Sequence, residues 1–272
     1  MLDKSIEGFW EPHSSSIDFC ERNYEHTLQV AEFHNTWSSI YSLCCYGLLG
    51  MIHGNPSGEK RFLLAYFILF LIGAGSAGLH GTLHWFFQSS DELPMLYLIN
   101  SLNFIIEEYD APMGKPKHPH LVSLLVGISV LNTLVYYRYQ DMYMIFLATF
   151  ALSNARLDYK LLRVLYSDIR KKDKVATKIG LIAFVTYALL AFPIWVVDML
   201  QCERVLNVAD QLPGIFKGMT LHVFWHIFAA HGAYCTIVSL ACCRMAALDR
   251  AYQVYMIMGF IPIVKAKDDK SD

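Results

Sequence analysis

The chain of 272 residues is 55% hydrophobic and 14% aromatic, with 17% charged residues and a mean hydropathy of +0.34. Soluble domains carry roughly 25% charge, so much of this chain is expected to face lipid. A formal net charge of −2 argues against a nucleic-acid partner, which demands clustered cationic surface.

Residues 1–33 are polar and partly acidic, without the basic and then apolar pattern of a cleaved signal peptide. Asp18, Glu21, Asn23 and Glu32 in this segment are hard oxygen donors of the kind calcium takes, though their spacing is not that of an EF-hand. A solvated acidic segment is the plainer alternative. Apolar runs follow at 34–53, 62–86, 93–107, 121–137, 142–159, 178–200 and 219–243. At roughly 20 residues per crossing, four of them are long and clean; 34–53, 93–107 and 142–159 are shorter or more polar. No linker, repeat or low-complexity tract divides them, so residues 34–243 are expected to form one membrane domain followed by a tail, 244–272.

Counting all seven runs as helices puts 17 of the 22 lysines and arginines on one side. The positive-inside rule then predicts an all-α protein of seven transmembrane helices, with a non-cytosolic (lumenal) N-terminus and a cytosolic tail. On the lumenal side this arrangement gathers the N-terminal segment, His80 near the end of the second helix, Asp91 in the loop after it, Asp198 at the end of the sixth, and His222 and His226 in the first turns of the seventh.

His222 and His226 are four residues apart on one helix, so both imidazoles reach a common ion. Catalytic zinc takes three protein ligands and keeps a position open. His80 is the natural third, with His84 one turn further on. Ser76, one turn before His80, would place a hydroxyl beside the metal to steady an oxyanion, and Asp91 would exchange protons with water and a leaving amine. Each residue also has an ordinary reading. Histidines serve as interhelical glue, Ser76 sits between Gly75 and Gly78 as a small packing residue, and Asp91 with Glu92 suits a helix N-terminus. A channel or transporter lined by the polar stripe is a further class.

Five cysteines (Cys44, Cys45, Cys235, Cys242 and Cys243) lie in apolar runs and read as small buried hydrophobes. Only Cys20 and Cys202 lie in polar segments. The topology places both on the oxidising face, which predicts a disulfide between them.

The fragments "DFCERNY" and "AEFHNT", "SAGLHGTL" with "DELPMLY", "VDMLQCE" and "LHVFWHI" occur in an order and spacing that resemble the alkaline ceramidases, integral membrane amidases that cleave ceramide to sphingosine and a fatty acid. The resemblance runs along most of the chain. It implies zinc held by His80, His222 and His226, with Ser76 and Asp91 as catalytic partners, and leaves His84 as a spare polar residue. It also implies calcium held by Asp18, Glu21, Asn23 and Glu32 with the main-chain carbonyl of Phe19, where relatives often carry Trp. The substrate expected is ceramide or a close N-acyl sphingoid lipid, in an endoplasmic reticulum or Golgi membrane, with no protein partner identifiable. More distantly, the layout is similar to the adiponectin and progestin receptors, and the alternative is such a receptor-like protein with weak or no ceramidase activity.

Overall fold

The structure is a computed structural model that describes residues 7–139, 142–169 and 173–267. The outermost residues of the N-terminal segment and the end of the tail lie outside the described residues. In chain order the elements are α1 (Phe33–Ser39), a π-helical stretch Ile40–Cys44 and α2 (Cys45–His53), which form one rod; α3 (Lys60–Thr82); α4 (Trp85–Glu107); α5 (Leu121–Arg138); and α6 (Tyr143–Val164). Next come α7 (Lys174–Phe184), a π-helical stretch Val185–Ala191 and α8 (Phe192–Leu200), again one rod; the short α9 (Cys202–Ala209); and α10 (His222–Ala247). Among the described residues, the helices Lys60–Thr82, Leu121–Arg138, Lys174–Leu200 and His222–Ala247 are long and apolar enough to cross a membrane.

Burial separates these rods. α10 is the central one, with 78% of its most apolar window buried, and it packs against α1, α3, α7 and α8; α5 has no buried residue and is the outermost. A helix that is apolar all round but unburied needs lipid as its neighbour.

Two expectations need correction. Asp91 is not in a loop. α3 stops at Thr82, where Leu83 turns into the left-handed region at φ 51°, and α4 begins at Trp85, so Asp91 and Glu92 fall within α4. The cause is close packing of α3 on α4. A Cβ on Gly75 would lie 2.1 Å from the carbonyl oxygen of Ser90, so only glycine permits the approach. That carbonyl is the one Pro94, four residues on, cannot serve with an N–H. The polar run before Pro94 is thus helical because tertiary packing supports it.

Nor is the chain all-α. β1 (Tyr252–Ile257) and β2 (Ile261–Ala266) form an antiparallel hairpin in register Val254↔Val264. β1 alternates half-buried and exposed residues over Tyr252–Tyr255, which is not a helical period, and Met258 and Gly259 turn the chain with φ of 52° and 82°. Val264 and Ile263 are buried, and the Tyr234 hydroxyl of α10 donates to the Pro262 carbonyl at 2.7 Å. The segment read as a tail therefore packs back on the bundle, and α10 continues to Ala247.

Candidate metal centre

α10 presents His222 and His226 one turn apart, with ring centroids 4.6 Å from each other, and α3 brings His80 to 5.1 and 5.0 Å from them. All three rings are buried, and one ligand atom of each lies within 4.8 Å of the others. Among the described residues this is the one group of three metal-type side chains that close. Nε2 of His80 and Nδ1 of His222 have neither a hydrogen-bond partner nor solvent. Buried polar atoms are rarely left so, and two of them in a knot of imidazoles fit an ion that takes nitrogen donors.

The surroundings orient the rings. Nδ1 of His80 lies 2.5 Å from Oε2 of Glu32, whose carboxylate also accepts from the Phe19 backbone N–H and from Nδ2 of Asn35. A carboxylate on Nδ1 fixes that nitrogen as the donor and leaves Nε2 with its lone pair. Nδ1 of His226 faces the Ser38 hydroxyl at 2.7 Å, and its Nε2 lies 3.4 Å from Oγ of Ser76. Ser76 in turn accepts from the Ser39 hydroxyl at 3.0 Å and faces the Asp91 carboxylate. Asp198, wholly buried, accepts from the backbone N–H of His222 at 3.2 Å and so holds the start of α10. The Phe19 ring lies against both His80 and His222, at 4.8 and 4.4 Å. His84 stands apart, 3.4 Å from the Ser14 hydroxyl, and His231 pairs with Tyr46 and Cys235.

The acidic residues gather at the start of α1. Glu21 accepts from the backbone N–H groups of His34 at 2.6 Å and Asn35 at 2.8 Å, and the Asn23 amide donates to Asp18 at 3.4 Å. Oδ1 of Asn23 is buried without a partner. Burial pushes the Glu21 carboxyl up to about 8, with the like charge of Glu32 adding to it, and burial raises Glu32 to about 8 as well. Two buried carboxyls and an orphaned amide oxygen suit a hard cation. Cys20, between them, is bonded to Cys202 at the head of α9, with Cα atoms 5.4 Å apart. Arg22 pairs with Asp210 from the same region.

Reasoning from sequence had Glu32 only as a calcium ligand and missed its contact with His80. It also missed Ser38 and Ser39, whose one signal is a serine-rich face on the first helix.

From His222 and His226 a cavity extends into the bundle. Ser76, Asp91, Glu92, His222 and His226 line one part, and Leu69, Ile72, Leu98, Leu102, Phe150 and Ala233 line much of the rest. A buried imidazole trio, two of whose members line an apolar chamber among membrane-length helices, defines an integral membrane protein with a metal-type site beside an apolar space. Residues 11–265 match the family model described as Ceramidase, and the chain belongs to that family. It is 29% identical over 266 residues to alkaline ceramidase 3 of Mus musculus, covering 95% of this chain and 94% of that one. It is 28% identical to alkaline ceramidase YPC1 of Saccharomyces cerevisiae, covering 91% and 82%, and 27% identical to an alkaline ceramidase of Arabidopsis thaliana, covering 98% of each.

Proposed function

We propose that this protein is a zinc-dependent intramembrane amidase that hydrolyses ceramide, or a close N-acyl sphingoid lipid, to a sphingoid base and a free fatty acid. The observation that carries the reading is a buried imidazole trio with two orphaned nitrogens, placed next to Ser76 and Asp91, which line an apolar cavity together with His222 and His226. His80, His222 and His226 would hold the zinc. Bound there, it would polarise the amide carbonyl and make water nucleophilic near neutral pH.

The chain's own residues supply the rest. Asp91 accepts the proton of the attacking water and returns it to the departing nitrogen, so that an amine leaves instead of an amide anion. The Ser76 hydroxyl donates to the oxygen that gains charge. Glu32 and Ser38 hold the rings of His80 and His226 from behind. The apolar wall takes a hydrocarbon chain and excludes competing water.

On the same reading, all seven helical rods cross the membrane with the N-terminus lumenal, as the bias of basic residues favours, in the endoplasmic reticulum or Golgi. Asp18, the Phe19 carbonyl, Glu21, Asn23 and Glu32 hold a structural calcium. The receptor-like alternative has no support among the relatives named above, which are all described as ceramidases. Purified protein incubated with defined ceramides should release sphingosine, detected by mass spectrometry, and a Ser76→Ala, Asp91→Asn double variant should not. Equal product from both proteins would refute the site, and no product from the wild type would refute the activity.

A further inference from the structure

The cavity has a second polar end that the metal centre does not explain. Asn154 and Asp158 of α6, Tyr187 and Thr236 line it together with His222 and His226. Helix rise sets the separation. Thr236 lies roughly 15 Å along α10 from His226 at 1.5 Å per residue. Asp158 lies roughly 22 Å along α6 from Tyr143, which borders Glu92 in a side recess. Between the two ends the wall is hydrocarbon, with Ile72, Leu98, Leu102 and Phe150 among its side chains.

Asp158 is out of place in such a wall. Its neighbours on α6, Arg156 and Lys160, both pair with Glu107 of α4, at 2.8 and 3.0 Å. Among the described residues no hydrogen bond or ion pair reaches the Asp158 carboxylate. Asn154, one turn before it, donates to the Phe150 carbonyl at 3.0 Å and faces the Tyr187 hydroxyl. An ionisable side chain at this depth, half-buried, unpaired and facing a cavity, has a functional reason by default.

We propose that Asp158, with Asn154 beside it, forms the floor of the chain-binding cavity and sets the length of hydrocarbon chain that the enzyme accepts. The inference rests on the amidase reading above. A chain that ends short of the floor buries every methylene against apolar wall. A longer one must press its methyl end on an unpaired carboxylate and strip its water, the most unfavourable contact available. Selection by length then needs no contact with the terminal methyl beyond this refusal.

The test uses the full-length protein and two ceramide series, one varying the acyl chain and one the sphingoid base, with kcat/KM measured for wild type, Asp158→Leu and Asp158→Asn. Wild type should show a length beyond which kcat/KM falls, in the series whose chain enters the cavity. Asp158→Leu should move that limit outward by about two carbons. Each newly buried methylene is worth about fourfold, so the ratio of turnover for the first excluded length to that for an accepted one should rise roughly tenfold. Asp158→Asn, which keeps the shape and removes the charge, should give a smaller rise and carries the test if the leucine variant does not fold. A limit that stays where it was in both variants, or a wild type without a limit in either series, overturns the proposal. Should wild type hydrolyse no ceramide at all, the amidase reading fails. The floor is then read from thermal-shift titrations with saturated fatty acids and sphingoid bases of graded length, where the same limit and the same shift must appear.

Discussion

Stripping calcium from the N-terminal cluster should make stability fall steeply between about pH 5 and pH 8, and Glu21 carries much of the reason. Its side chain is 4% exposed, and burial lifts its carboxyl from an ordinary 4.5 to about 8 against the two backbone N–H groups that favour the ionised form. A carboxyl with a folded pKa above its unfolded one binds its proton more tightly when folded. Its contribution is full below about pH 4.5 and is lost as pH rises through 8. At about 1.4 kcal/mol per pH unit, the span from 4.5 to about 8 is worth roughly 5 kcal/mol, on the order of 10 °C in Tm for a chain of this size. A divalent cation against the carboxylate favours the ionised form and removes the loss. Melting curves of detergent-purified protein from pH 5 to 8.5 should therefore slope downward in a calcium chelator and be nearly flat in millimolar calcium. Glu21→Gln should roughly halve the slope, the remainder belonging to Glu32, which is raised likewise. A chelated protein whose Tm is indifferent to pH across this window, or a slope that calcium leaves unchanged, would refute the argument.

Elemental analysis should find about one zinc per chain in wild type and in His84→Ala, and little in His222→Ala or His226→Ala, because a three-ligand site that loses one ligand holds its ion poorly; equal zinc in all four would sink the site. Asp91→Asn should keep its zinc and lose roughly 10²-fold or more in kcat, as removal of a positioned base does; full activity would move that role elsewhere. Asp198→Ala should destabilise the protein by about 1 kcal/mol through loss of the bond to the start of α10, and should weaken zinc binding in a competition titration. Asp198→Asn, which keeps an accepting oxygen, should recover most of both, and an alanine variant with wild-type zinc affinity would show that the bond does not position His222. Non-reducing peptide mapping should yield a linked pair of peptides carrying Cys20 and Cys202; alkylation of both before reduction would exclude the bridge.

The clustering of His80, His222 and His226 was legible because it needs only a helical repeat of 3.6 and a count of crossings to bring the residues to one depth. The start of α4 was not. Gln88, Ser89, Ser90, Asp91 and Glu92 before Pro94 have the composition of a helix boundary, and only the approach of α3 at Gly75 makes them interior. The hairpin at 252–266 was hidden because β2 buries Pro262, Ile263 and Val264 in succession, without the alternation that marks a strand, and so the segment reads as a tail after the last crossing. Glu32 was read by its oxygen chemistry alone, since nothing in spacing says that it meets His80, 48 residues away. Asp158 looked like the place where a helix fades into solvent. Its importance depends on which face of α6 meets the cavity, and that is a property of packing.

The same packing bears on how a substrate arrives. At their end of the bundle the histidines are covered by the N-terminal segment, whose Phe19 ring rests on His80 and His222 and whose Glu32 grips His80. That cover is fastened by the Cys20–Cys202 bond, by the pairing of Arg22 with Asp210, and by His26 and His34, each within 3.1 Å of the Lys217 carbonyl. An ion pair as exposed as Arg22 with Asp210 adds little by itself, but a covalent tie beside it keeps the segment in place. The open space lies on the other side of the trio, inside the bundle, and its wall is mostly hydrocarbon. Among the described residues the cover leaves all three imidazoles buried, whereas an amide carried by an apolar chain would reach Ser76 and Asp91 by burying that chain. The arrangement therefore selects for lipid amides before any contact with the head group is made, and the calcium proposed for the cover would serve the same end: loosening the cover would admit water to the imidazoles from the side opposite the apolar cavity.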